Sequence, residues 1–280
     1  MASDQIAANL ALINWTVLAA LAVGSFAVVV LARFRTTATR GYLGFTAFCA
    51  AGFGLLTYLS DTGIPVLATG SPVTADPAFD GLRRGALVAF IVLALVAMIS
   101  IARGGGRRPS ILAMVAGLVA LTGGALTWGS AAGVGAVVLL LLQLLVLAAA
   151  TGGVFAAMIL GHWYLVTPKL PEAPLVLVAR GLFGVTALQV VLFVVWLGVG
   201  AGPGASGGPF GALTGPWALF VWLRLVVGLV FPLVVSWAAV QTARTRSMES
   251  ATGLLYINVG TIAAGTILAA GLYFGAGLLV

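Results

Sequence analysis

The chain has 280 residues, of which 62% are hydrophobic and 7% charged, and its mean hydropathy is +1.20. Soluble domains carry about 25% charged residues, and thirteen bases with six acids cannot cover a water-facing surface of this size. A soluble enzyme, a nucleic-acid-binding domain and a disordered chain are excluded, which leaves a multi-spanning membrane protein. The net charge of +7 comes from bases at the ends of apolar runs, not from one solvated basic face.

Residues 1–5 contain no base ahead of the first apolar run, 10–32. Arg33, Arg35 and Arg40 follow that run instead, so it reads as a membrane helix with its N-terminus outside and not as a cleavable signal. Seven further runs are long enough to span: 42–60, 85–102, 111–130, 135–163, 176–199, 217–243 and 251–279. All eight are expected as helices, because an open strand edge does not survive in lipid. No Asp or Glu falls inside any of these eight ranges. Residues 61–82 hold Pro65, Pro72 and Pro77, and residues 200–215 are mostly Gly, Ala, Ser and Pro. Both read as long outer loops, the second mobile. After the fifth run, Pro168 and Pro171 are expected to end the helix.

The bases set an orientation. Arg33, Arg35, Arg40, Arg103, Arg107, Arg108, Lys169, Arg180, Arg244 and Arg246 fall on one side, which the positive-inside rule makes cytoplasmic. Both termini are then outside. Arg-dominated basic usage in an Ala- and Gly-rich chain points to a bacterial plasma membrane.

The two halves resemble each other. Residues 17–34 (VLAALAVGSFAVVVLARF) match residues 146–163 (VLAAATGGVFAAMILGHW) at eight of 18 positions. RGYLGFTA at 40–47 matches RGLFGVTA at 180–187 at five of eight positions. Leu82-Arg83 aligns with Leu223-Arg224, and Ala102-Arg103 with Ala243-Arg244. The expected architecture is an all-α membrane protein with two tandem four-helix bundles, 1–131 and 132–280, related by a pseudo-two-fold axis along the membrane normal. By this alignment His162 and Arg180 match Arg33 and Arg40, which places both near the cytoplasmic boundary. Side-by-side four-helix bundles resemble in architecture the quinol-handling membrane anchors of polysulfide-reductase-type complexes, although no motif accompanies that resemblance.

Few residues offer chemistry. Arg224 lies within PWALFVWLRLVVGLVFP, where a central Arg costs about 2.5–3.5 kcal/mol to insert. It is either an anchor for an anion or carbonyl facing a cavity, or an Arg that snorkels to headgroups or caps a neighbour's carbonyls. His162, with Trp163 and Tyr164 in GHWYLVTPKLP, suits a quinone carbonyl or a proton relay, or else belongs to an aromatic belt. Gln143, Gln189, Ser236 and Asn258 are polar positions inside spans. They suit interhelical hydrogen bonds, or a ligand cavity shared with Arg224. Gly152, Gly153, Gly260 and Gly265 read as packing positions, and Ser247 with Glu249 as a helix start.

One histidine excludes a haem held by two histidines, and one cysteine, Cys49, excludes an intrachain disulfide or a Cys-based metal site. No metal, covalent cofactor or nucleic-acid partner is expected, and catalysis by this chain alone is not expected. The leading functional expectation is a membrane subunit of an electron-transfer complex. It would contact quinone at His162, Trp163, Tyr164 or Arg224, or anchor a redox protein partner. A transporter or lipid-handling protein, with Arg224, Gln143, Gln189 and Asn258 around one cavity, is the alternative. A non-catalytic scaffold is the third reading.

Overall fold

A computed structural model describes residues 2–65, 67, 71–167, 169–205 and 208–280. Pro168 lies outside the described residues. Every regular element among them is helical. A short α1 (Ala2–Ala8) leads into α2 (Leu10–Arg35), α3 (Arg40–Thr62), α4 (Asp80–Ala102) and α5 (Arg108–Gly129). Then follow α6 (Val134–Val166), α7 (Ala173–Val199), α8 (Ala218–Leu225), α9 (Phe231–Arg244) and α10 (Met248–Ala276). A π-helical turn, Val226–Val230, joins α8 to α9, so that Ala218–Arg244 forms one span. Among the described residues, eight helices are thus long and apolar enough to cross a membrane. At 1.5 Å per residue, even the 23-residue α3 reaches about 35 Å, enough for the hydrocarbon layer.

Local chemistry sets the boundaries. The Thr39 side chain accepts a hydrogen bond from the Tyr42 N–H and starts α3. Pro109 and Pro174 sit in the first turns of α5 and α7, where no intrahelical donor is needed. Gly200 and Gly277 end α7 and α10 in the left-handed conformation.

The centre of the molecule is the crossing of α2 and α6. A Cβ on Gly24 would sit 1.7 Å from the Ala148 carbonyl oxygen, and one on Gly152 would sit 2.1 Å from the Ser25 nitrogen. The spacings Ala20-x-x-x-Gly24 and Ala148-x-x-x-Gly152 thus let two backbones touch where larger side chains would hold them apart. In a membrane, dispersion and close packing drive this association, because lipid supplies no hydrophobic force between helices. Around the crossing, α2 packs on α3 and α5, and α6 packs on α7 and α10. The Tyr42 hydroxyl donates to the Ala156 carbonyl, tying α3 to α6, and the Tyr273 hydroxyl donates to the Trp128 carbonyl.

Three expectations need correction. The third helix begins at Asp80, not residue 85, because Asp76 caps a short 3-10 turn, Pro77–Phe79, that feeds directly into it. Asp61 is not a loop residue. It lies in the last turn of α3, fully buried, so an acid does sit inside a span. The seventh span is not uniformly α-helical: Pro232 has no N–H for the Gly228 carbonyl, and its ring would clash with that carbonyl in an α-helix. The widened π turn over Val226–Val230 relieves the conflict. The described part of the 200–215 loop is tied to the chain's last residues. The Gly204 N–H donates to the Gly277 carbonyl, and the Leu279 N–H to Ala201.

Candidate functional site

The C-terminal end of α6 carries the His-Trp-Tyr cluster, and the helix sends its three side chains to different places. Tyr164 is buried, and its hydroxyl donates to the Pro171 carbonyl at 2.5 Å, pinning the loop after its own helix. Trp163 lies under α3, its ring 2.7 Å from where a Cβ on Gly41 would be. His162 faces outward, with Nδ1 3.5 Å from the Tyr256 hydroxyl of α10. Leu165 is one helical turn beyond His162 on the same face.

Leu165 also lines a cleft of about 490 Å³. Its other walls include Tyr164, Leu170, Arg246, Ser247 and Met248. Arg246 is held with a left-handed backbone, φ 59°, and its guanidinium pairs with Glu172 at 3.3 Å. Such a backbone is unfavourable for a non-glycine residue. Here it places Arg246 at the turn between α9 and α10. The start of α10 is as expected from Ser247 and Glu249, except that the Ser247 hydroxyl bonds Ser250 rather than a backbone N–H. The cleft therefore combines apolar walls (Leu165, Leu170, Met248) with an Arg, a Glu, a Ser and a Tyr, and Leu165 links it to the His162 face.

Arg224 is a separate site. It is 2% exposed and does not snorkel. Its Nη1 donates to the Gly228 carbonyl at 3.2 Å, one turn further into the span. In α-helical pairing that carbonyl would take its bond from residue 232, a proline with no N–H, so the guanidinium supplies a donor that the proline cannot. Two glycines give it room. A Cβ on Gly265 of α10 would be 2.8 Å from Nη1 and 2.7 Å from the Gly228 Cα. Among the described residues Nε has no hydrogen-bond partner, and no acid pairs with the charge.

The remaining polar positions lie at different helix interfaces. Asn258 donates to the Ser236 hydroxyl at 2.8 Å, joining α10 to α9, and its Oδ1 accepts from Thr261. Gln189 donates to the Val146 carbonyl at 3.1 Å, joining α7 to α6. Gln143 is buried with its Oε1 unpaired among the described residues. Thr151 and Thr266 hydrogen-bond at 2.6 Å between α6 and α10. Hydrogen bonds thus hold Gln189, Asn258 and Arg224 at three distinct contacts, and none of these bonds links one of them to another.

The densest polar cluster escaped the sequence reading. Asp61 receives Arg83 through two bonds, Nε at 2.6 Å and Nη2 at 3.1 Å, and Arg84 Nε at 2.6 Å. Arg83 Nη1 also donates to Asp80 at 2.8 Å and to the Thr127 hydroxyl at 2.6 Å. The Arg83 guanidinium carbon lies 4.8 Å from the centre of a Trp128 ring. Gly123 admits this packing, since a Cβ there would be 2.9 Å from the Arg83 Cα. A cavity of about 250 Å³, walled in part by Ile64, Asp80, Arg84 and Trp128, opens beside it. Arg83 and Arg84 directly follow the 61–82 segment that reads as an outer loop, a position that suits exposed charges. Arg83 is instead buried, because two carboxylates and a hydroxyl saturate it. The available signal was an Asp ending one apolar run and an Arg pair opening the next.

No protein-family model matches this chain, and no curated protein or solved structure matches it at a significant level.

Proposed function

We propose that this chain is a membrane subunit of an electron-transfer complex that receives a quinone headgroup in the cleft at its Arg-rich end. The observation that carries this reading is the 490 Å³ cleft, whose wall residue Leu165 lies one helical turn from His162. A quinone presents two carbonyl acceptors on a flat apolar ring. Within the cleft Arg246 and Ser247 supply donors, Leu165, Leu170 and Met248 supply apolar contact, and His162 stands one turn from Leu165 on the same face of α6. At the same end of the molecule the loops of the first half carry Arg33, Arg35, Arg40, Arg103, Arg107 and Arg108, which offer a docking face for an anionic redox partner. In this reading the Arg-rich end is cytoplasmic, in a bacterial plasma membrane, with both termini outside.

Tandem duplication is part of the same proposal, with units 1–131 and 132–280. Its support is the pattern of helix contacts. α2 meets α3 and α5, α3 meets α4, and α4 meets α5. In parallel, α6 meets α7 and α10, α7 meets α9, and α9 meets α10. Where the halves meet, α2 lies on α6, α5 touches α6, and α10 touches α2.

The test is tryptophan fluorescence of the purified protein titrated with a soluble naphthoquinone, since Trp163 lies within two residues of Tyr164 and Leu165. Saturable quenching is expected for the wild-type chain. The reading fails if quenching is non-saturable, or if His162→Ala and Arg246→Ala leave the midpoint where it was.

One observation favours a second reading, an anion-handling transporter: Arg224 is buried with no acid paired to it among the described residues. If Arg224→Gln abolishes anion-dependent flux in proteoliposomes, this reading replaces the first.

A further inference from the structure

Six arginines gather at one end of the first half: Arg33, Arg35, Arg40, Arg103, Arg107 and Arg108. The chain's six acids lie elsewhere, at Asp4, Asp61, Asp76, Asp80, Glu172 and Glu249. Two of the six arginines are committed to the fold. Arg33 donates to Ser110 and to the carbonyls of Gly105 and Gly106, closing the α4–α5 turn. Arg107 stacks on the Phe34 ring at 4.6 Å.

Arg40 is placed differently. It is exposed at the first residue of α3, and its guanidinium lies across Gly104. A Cβ on Gly104 would be 2.9 Å from Arg40 Nη1, and its φ of +70° suits glycine alone. The guanidinium thus rests flat on the α4–α5 turn with its outer edge free. Directly below it, a groove of about 480 Å³ runs between α3 and α4, lined by Arg40, Gly44, Phe45, Phe48, Met98 and Ala102. Arg40, Gly44 and Phe48 form an i, i+4, i+8 stripe, so the groove follows the helix for about 12 Å into the membrane. Gly44 is its open floor, because a Cβ there would meet nothing within 4 Å. Phe45 and Phe48, about half exposed, form a wall.

We propose that this groove holds one anionic glycerophospholipid, its phosphate on Arg40 and one acyl chain along Gly44 and Phe48. The groove is apolar along its membrane length and cationic only at its mouth, which is the pattern of such a lipid and not of a soluble anion. Arg binds phosphate in a planar, two-pronged manner, and Arg103, next to Ala102, adds positive charge at the same mouth. A zwitterionic lipid would bring its own cation to a site already crowded with arginines. The proposal does not rest on the quinone reading, since the groove lies between α3 and α4 and the cleft beside α6 and α10.

The test is native mass spectrometry of the purified chain with phosphatidylglycerol or phosphatidylcholine of identical acyl chains. Phosphatidylglycerol is expected to be retained at least ~10-fold better. Arg40→Gln should bring its retention to the phosphatidylcholine level, while Arg244→Gln on the other half should not. Gly44→Leu fills the groove without altering charge, its Cβ starting in open space, and should reduce retention of phosphatidylglycerol in the same way. Equal retention of the two lipids by the wild-type chain overturns the proposal. So does undiminished phosphatidylglycerol binding in either Arg40→Gln or Gly44→Leu.

Discussion

Asp61 on α3 and Arg83 on α4 share two hydrogen bonds in the interior, at 2.6 and 3.1 Å, and neither side chain is more than 3% exposed. The carboxylate also takes Arg84, and Arg83 also takes Asp80 and Thr127. Two acids and two bases leave the cluster neutral, so it can be buried near the end of a span at modest cost. Removing one member exposes the rest to that cost. Asp61→Ala should lower stability by about 3–5 kcal/mol, as for other broken buried ion pairs. Replacing both partners, Asp61→Leu with Arg83→Met, should recover most of the loss. Unfolding in mixed micelles measures both, and a double variant no more stable than the single one contradicts this account.

The α2–α6 crossing should be as sensitive as any apolar position in the chain. Gly24→Ala would place its methyl carbon inside contact distance of the Ala148 carbonyl, and both partners of that clash are backbone. Overpacking typically costs about 1–3 kcal/mol, and rigid neighbours put this change at the upper end or beyond. Gly44→Ala on the open face of α3 is the matched control and should be near neutral. Thermal unfolding in detergent distinguishes the two, and similar midpoints for both variants would count against the crossing as described.

Much of the fold is legible because lipid allows so few solutions. A helix satisfies its own backbone, so eight apolar runs become eight helices, with ends shifted only by caps such as Thr39 and Asp76. Partners were less legible. Asp61 and Arg83 each look like a boundary charge, and only the antiparallel packing of α3 against α4 brings them face to face. Arg224 stood out in the sequence, but its function in the fold depends on Pro232, eight residues on. A proline in a membrane helix reads simply as a kink. Only the folded packing shows that the Gly228 carbonyl, to which Pro232 cannot donate, is the one Arg224 reaches. His162, Trp163 and Tyr164 are consecutive, yet a 100° turn per residue sends them to a neighbour's ring, a helix interface and a loop.

The Asn258–Ser236 hydrogen bond should contribute little. Interhelical hydrogen bonds in membranes average about 0.6 kcal/mol, because side chains released on unfolding find other partners in the membrane. Asn258 also keeps Thr261 as a neighbour. Asn258→Ala is therefore expected to shift stability by under about 1 kcal/mol. A loss several times larger, in the same micelle assay, would mean that Asn258 does more than join α10 to α9.

Arg224 and Pro232 should be energetically coupled although they are not neighbours in sequence. With Pro232 present, the α-helical donor to the Gly228 carbonyl is missing and Arg224 donates there. Pro232→Ala restores a backbone N–H to that position, lets the π turn relax toward α-helix, and makes the Arg224 bond redundant. Arg224→Met should therefore be more damaging in the wild-type chain than in the Pro232→Ala background. The difference expected for residues sharing one polar group is about 0.5–3 kcal/mol in a double-mutant cycle. The sign of the coupling is the informative quantity, because Arg224→Met also removes a buried charge whose own contribution cancels in the cycle. Zero coupling would mean that Arg224 is held by something other than the carbonyl Pro232 leaves free, and would strengthen the case that it waits for an anion.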